Sequence, residues 1–323
     1  MEWVERPSVK SITATRRRLG GMIGILMLGL ALGPLLAAPM RAASFDGSEW
    51  SVPVNLVAVN SAFRDNGGTL SPDGSLYFLS FRPGGFGLSD LWVSRRDGPD
   101  GSWVAPVNLG AGINGPGSEV GPALSIDGHI MFFSSDRPGG YGSDDIYVSR
   151  RANPHDDFGW GAPVLLGPAV NTAAVEQAPH YQQSASPGGA QLCFNRAIGA
   201  GAEDLYCAPV TREGDILGAA APVSEANTLA REQGASLRVD NREMFFASNR
   251  AGGIGAFDIY SCTRQNPNDS WSVPENVATL NSAAADFNPS LSFDGRTIVF
   301  TSLRAGGLGD FDLWMSRRTP SGK

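Results

Sequence analysis

Cysteine and histidine are scarce, with three of each in 323 residues. Neither type shows the paired spacing of a structural zinc or cluster site, which excludes metal chemistry as the basis of the fold. Basic residues are outnumbered, 25 Lys and Arg against 32 Asp and Glu, for a net charge of −7. That balance argues against nucleic acid as a partner. Long apolar runs are absent beyond residue 38. What is abundant is glycine (41) and proline (22), without a collagen-like period, in a chain that is 42% hydrophobic. Many short strands joined by turns fit that composition.

The single long apolar run, Leu19 to Ala38, follows Arg16, Arg17 and Arg18. Charge followed by an apolar stretch is the layout of an export signal. "TRRRLG" (Thr15 to Gly20) is similar to a twin-arginine signal, which would export a folded protein. Arg41 fits that route, since a late positive charge disfavours the general secretory one. "AAPMRAAS" holds no clean Ala-x-Ala, and the run is close to the ~18–20 residues that span a bilayer, so an uncleaved anchor is the alternative. No cysteine ends the run, which argues against lipoprotein anchoring. Residues 1–43 are read as an export signal or N-terminal anchor. Residues 44–323 are read as one domain, monomeric and periplasmic or secreted, touching the membrane only if the leader is retained.

The chain repeats itself. Asp-(Leu/Ile)-(Tyr/Trp) recurs at Asp90, Asp145, Asp204, Asp258 and Asp312, at intervals of 55, 59, 54 and 54. Upstream lie Phe78, Phe133, Phe194, Phe246 and Phe300. The gap to Trp92, Tyr147, Tyr260 and Trp314 is 14 residues, and to Tyr206 it is 12. A fixed gap between apolar anchors is what paired strands require, because a one-residue slip turns every side chain over. "RPGGFG", "RPGGYG", "RAGGIG" and "RAGGLG" fill the loops between them. Such a loop joins two strands, so it is turn chemistry rather than a phosphate cradle, which needs a helix behind it.

Each unit reads as four strands, A to D, the pattern of propeller blades. The last copy stops after strand C, "DLWMSRR", while residues 50–56, "WSVPVNL", form an unattached strand D. The predicted fold is all-β: a five-bladed propeller of four-stranded antiparallel blades, closed by strand 50–56 completing the last blade and removing two sheet edges. "SPDG" (71–74) and the related "SxDG" turns, followed by an aromatic strand and "SxR", resemble the WD40-like, TolB-type Pro-Asp propeller repeat of exported bacterial proteins. The third copy departs, with "QQSASPGGAQL" in place of the Asp-Gly turn and no double glycine.

Two polar patterns follow the repeat. Arg82, Arg137, Arg196, Arg250 and Arg304 precede the repeated aspartates. The expectation is arginine–aspartate pairing across the B–C turn: Arg82 with Asp90, Arg137 with Asp145, Arg250 with Asp258, Arg304 with Asp312. In the D–A connections, Asn60, Asn114, Asn171, Asn227 and Asn281 are each followed five residues later by Asp65, Glu119, Glu176, Glu232 and Asp286. Strand A lines a propeller's channel, so these five carboxylates are expected to crowd one mouth, raising one another's pKa or recruiting an axial cation. Alternatively each accepts hydrogen bonds from a neighbouring blade's arginine or from backbone. The spacing of a dedicated calcium loop is missing, and no other cofactor is implied.

Two residues along from each acid the copies give Gly67, Gly121, Ala178, Gly234 and Asn288. Four along they give Thr69, Ala123, His180, Ser236 and Ser290. His180 and Asn288 stand out, and His180 could pair with Glu176 for acid–base or metal work or simply fill the channel. His129 and His155 fall on the opposite face. The register that sets Phe194 against Tyr206 sets Cys193 against Cys207, a cross-strand disulfide or two buried thiols, leaving Cys262 free.

Two functions compete. The first is a non-catalytic cell-envelope binding or scaffold module. It would recognise a protein segment or a glycan on the top face, with the acid ring, His180, Asn288, Phe86 and Tyr141. The alternative is a glycoside-active enzyme using channel-mouth carboxylates, Glu176 with Asp286 or Asp65.

Overall fold

A computed structural model describes residues 49–96, 98, 101–183, 190–199 and 201–318. The leader at 1–43 and the altered turn at 184–189 lie outside the described residues. Five antiparallel sheets of four strands form the ring. Blade one holds Asp65–Leu70, Leu76–Ser80, Asp90–Ser94 and Val107–Asn108, and blade two Glu119–Leu124, Ile130–Ser135, Asp145–Arg150 and Val164–Leu165. Blade three holds Glu176–Gln182, Ala190–Gly199, Ala202–Val210 and Ala221–Pro222. Blade four holds Glu232–Leu237, Glu243–Ser248, Asp258–Thr263 and Glu275–Asn276. Blade five takes Asp286–Leu291, Thr297–Ser302 and Asp312–Arg317 from the end of the chain and Val54–Asn55 from its beginning.

That closure is specific. Val54 pairs with Met315 and Asn55 with Trp314, while Trp50 bridges Arg318. The Asn60 side chain then bonds both the N–H and the C=O of Leu313, at 2.9 Å each. The same device recurs at every blade junction: Asn114 on Leu91, Asn171 on Ile146, Asn227 on Leu205 and Asn281 on Ile259. An amide side chain presents one donor and one acceptor as a peptide does, so each asparagine continues the ladder where the outer strand has ended.

The anchors of the repeat meet as their spacing requires: Phe78 opposite Trp92, Phe133 opposite Tyr147, Phe194 opposite Tyr206. Each inner aromatic is fully buried in the cores between blades. Cys193 faces Cys207 in the third hairpin, and the two are joined in a disulfide. Cys262 is a buried free thiol in the same core. The bridge closes a loop of separation 14, worth about 3 kcal/mol by chain entropy. Cys193→Ala with Cys207→Ala should lower the urea midpoint, with a slope against denaturant equal to or steeper than wild type because the unfolded chain loses its cross-link; equal midpoints would show that the bridge adds nothing.

Candidate functional site

The five ring acids are not at the channel mouth. All are fully buried, and each is enclosed by donors from its own blade and turn. Glu119 accepts from the Gly115 N–H (2.8 Å), the Ser135 hydroxyl (2.9 Å) and Arg137 (3.0 Å). Asp65 pairs with Arg82 and Asp286 with Arg304, both at 2.6 Å, while Glu176 pairs with Arg196 at 2.8 Å and Glu232 with Arg250 at 3.1 Å. The arginine also donates to a carbonyl of the D–A turn, as Arg137 does to Ile113, and lies over the blade's aromatic pair. Acid, arginine and turn form one structural unit per blade. Among the described residues no three His, Cys, Asp or Glu side chains gather in a way that could hold a metal.

The expected arginine–aspartate pairs across the turn are therefore corrected: Arg82, Arg137, Arg250 and Arg304 serve the ring acids instead of Asp90, Asp145, Asp258 and Asp312. Those aspartates turn back into their own loops. Asp145 accepts from the N–H groups of Tyr141 and Gly142. Glycine is needed there twice over. Gly139 has φ +102°, and a Cβ on Gly140 would stand 1.9 Å from a carboxylate oxygen of Asp145. "PGG" is the mould of an aspartate-filled loop.

Blade three breaks the rule. Its arginine sits two residues nearer Phe194, at the register position that Ser135 occupies in blade two. Without the double glycine, its second and third strands run on to a Gly199–Ala202 pairing. Asp204, like Asp145, has a buried carboxylate oxygen with no partner, and burial with the nearby Glu232 raises its pKa. The longer hairpin carries Glu203 to the mouth.

The inner strands bulge just after each acid, between Asn66 and Thr69 and at the four equivalent places. The bulge residues Gly67, Gly121, Ala178, Gly234 and Asn288 all have φ between +49° and +62°. Left-handed backbone, together with the narrow axis, explains why small residues fill four of the five places. A Cβ on Gly121 would come within 2.8 Å of the Ala178 Cα. The bulge also shifts which side chains face the channel. The residue directly after each acid now lines it: Asn66, Val120, Gln177, Gln233 and Phe287.

A cavity of about 190 Å³ results, bounded also by Asn195, Glu203, Arg231, Asn288 and His180. Its walls differ by side. The residue before each repeated aspartate is Ser89, Asp144, Glu203, Phe257 and Phe311 in turn; of these Glu203 lines the cavity, Asp144 stands behind the lining Gln177, and Phe257 and Phe311 back the lining Phe287. Phe287 packs against both Phe257 (6.4 Å) and Phe311 (5.3 Å). Glu203 is ion-paired with Arg231 at 2.6 Å. Asp144 is hydrogen-bonded to the cavity-lining Gln177, and burial, with Asp136 and Asp145 nearby, raises its pKa above the ordinary aspartate value. Asn288 donates to Asn66 (2.9 Å), and Asn195 accepts from the Gly234 N–H (2.8 Å). Asn66, Val120, Gln177, Gln233 and Phe287 were missed because the bulge inverts simple strand alternation, and Asn195, Glu203 and Arg231 because they lie off the inner strands. Their signal was available as positions that differ between otherwise alike copies.

His180 does not meet Glu176, which is taken up by Thr172 and Arg196. Its Nε2 lies 2.9 Å from the Leu237 N–H of blade four and accepts from it. His129, near the opposite face, is bonded to the Arg151 carbonyl (2.9 Å). Burial pushes the His180 pKa down to about 4, and accepting that bond requires the neutral ring. An unfolded histidine protonates near 6.5, so folding stability should fall as pH drops from about 6.5 to about 4. His180→Gln should flatten that part of the pH–stability curve; an unchanged curve would contradict the assignment.

No protein-family model matches the chain, and no curated protein does. Solved structures do match. An endo-arabinase from Bacteroides thetaiotaomicron superposes with a TM-score of 0.55 at 15% identity, over 84% of this chain and 97% of that one. A thermostable family-43 glycoside hydrolase gives 0.54 at 12% identity, over 80% and 91%. A putative TolB from Agrobacterium tumefaciens aligns at 17% identity over 84% and 99%, with a TM-score of 0.46. The two hydrolase likenesses agree in fold with the five sheets of this chain. They also correct the expectation of a non-catalytic module, since propellers of this build include glycoside hydrolases. The acid ring on which that expectation rested is buried structure.

Proposed function

We propose that the chain is a glycoside-active enzyme whose reaction takes place in the axial cavity, between Glu203 and Asp144 on one side and the Phe287 shelf on the other. The observation that carries this reading is the broken symmetry of one ring of positions, which puts Glu203 on the cavity wall and Asp144 behind the lining Gln177, while aromatics on blades four and five back the lining Phe287. Amides at Gln177, Asn195, Gln233 and Asn288 suit sugar hydroxyls, and an aromatic face suits a pyranose or furanose ring. Glycoside chemistry needs two carboxyl groups in unlike environments. Asp144, with its raised pKa, serves as general acid. Glu203, beside Arg231, serves as nucleophile or base. The likeness in fold to an endo-arabinase and a family-43 glycoside hydrolase supports the reaction class.

Hydrolysis of pentose-containing oligosaccharides and aryl glycosides tests the reading. An acid must be protonated to donate, so kcat/KM should fall as pH rises through the raised pKa of Asp144. Gln177 bonds the carboxylate form and so lowers that pKa; Gln177→Leu should move the alkaline limb upward. No turnover on any glycan, or a limb unmoved in the variant, would count against it.

A further inference from the structure

We infer that the cavity takes a glycan end-on and removes its terminal sugar unit, an inference that rests on the glycoside-active reading. The space of about 190 Å³ is below the ~300–1,000 Å³ of a site that encloses a drug-sized ligand. One sugar ring fits; a chain threading past does not. Little space continues below the cavity. Beneath the ring of bulges lies only a separate space of about 20 Å³, which shares Thr69, His180 and Ser290 with the cavity above. Bonds between neighbouring inner strands close this floor: His180 to Leu237, the Leu291 N–H to the Ser236 hydroxyl (2.9 Å), and Thr69 to Ser290 (3.3 Å).

One wall of the mouth is raised as well. The blade-three hairpin continues to its Gly199–Ala202 pairing, where the other blades carry open loops. A glycan therefore has one open approach, with its end pointing down the axis. The remainder of the chain leaves across the aromatic arc of Phe257, Phe287 and Phe311.

A linear pentose tetrasaccharide labelled at its reducing end, with and without methylated non-reducing-end hydroxyls, decides the mode. The expected result is free monosaccharide as the first product and a ladder shortening by one unit. The methylated substrate should be cleaved about tenfold or more slowly, since the closed end cannot admit added methyls. Early internal fragments from both substrates would overturn end-on binding while leaving the glycoside reading in place. If the wild type cleaves no glycan, the glycoside reading falls and binding geometry is read separately, by saturation-transfer NMR of Glu203→Gln with the tetrasaccharide. Saturation concentrated on the terminal ring would support end-on entry, and uniform saturation or no binding would overturn it.

Discussion

Glu203→Gln is expected to lower kcat on any glycan substrate roughly 100- to 10,000-fold, the usual worth of a positioned acid–base or nucleophilic carboxylate. The substitution keeps shape and one acceptor oxygen for Arg231 while removing charge and proton transfer. Its structural cost is small. The ion pair with Arg231 is partly exposed, with 23% and 37% of the two side chains accessible, and such pairs contribute about 1 kcal/mol or less. A thermal midpoint within a few degrees of wild type, together with lost turnover, separates chemistry from folding. Asp144→Asn should lose activity in the same way, through its missing proton. Full activity in Glu203→Gln would remove the carboxylate from the mechanism.

Glu119→Ala is expected to do the opposite, disabling the fold rather than a reaction. Glu119 is fully buried and takes three donors, one of them the guanidinium of Arg137. Truncation leaves that cation largely out of water without its partner, together with an orphaned N–H of the D–A turn. Removing one member of such a pair costs about 3–5 kcal/mol. The guanidinium chloride midpoint should drop by the corresponding amount. Glu119→Leu combined with Arg137→Met should recover much of the loss, since two apolar groups leave no uncompensated charge. A loss below about 1 kcal/mol in the single variant would mean that Arg137 finds other partners and that the acid ring is not a folding unit.

The repeat was legible because the same physical demand is written five times. Phe133 to Tyr147 and its counterparts keep one register, and the strand at 50–56 could be assigned to the last blade by likeness to its siblings. The pairing of charges was not legible. Arg137 stands eight residues before Asp145 and eighteen after Glu119, and closeness along the chain favoured the wrong partner. The deciding fact is that one carboxylate oxygen of Asp145 accepts two loop N–H groups, which the φ of Gly139 and the bare Cα of Gly140 make reachable.

The cavity was hidden for a different reason. Alternation along the inner strand placed Glu176, Ala178 and His180 on the channel side, but a bulge at Ala178 turns Gln177 inward and Glu176 into the blade. Nothing in a single copy announces that bulge. It shows only in the set Gly67, Gly121, Ala178, Gly234 and Asn288, where small size fitted a narrow axis equally well. The irregular third copy read as a weakened repeat, whereas its missing double glycine is what lengthens the hairpin under Glu203.

The most direct measurement is a crystal structure of Glu203→Gln soaked with a pentose oligosaccharide. Electron density is expected in the axial cavity, a terminal ring against Phe287 and bonded to Gln233 or Asn195, with the glycosidic oxygen within reach of residue 203. Sugar bound on the outer rim or the opposite face, with the axial cavity filled by water alone, would contradict the assignment of that cavity as the reaction site.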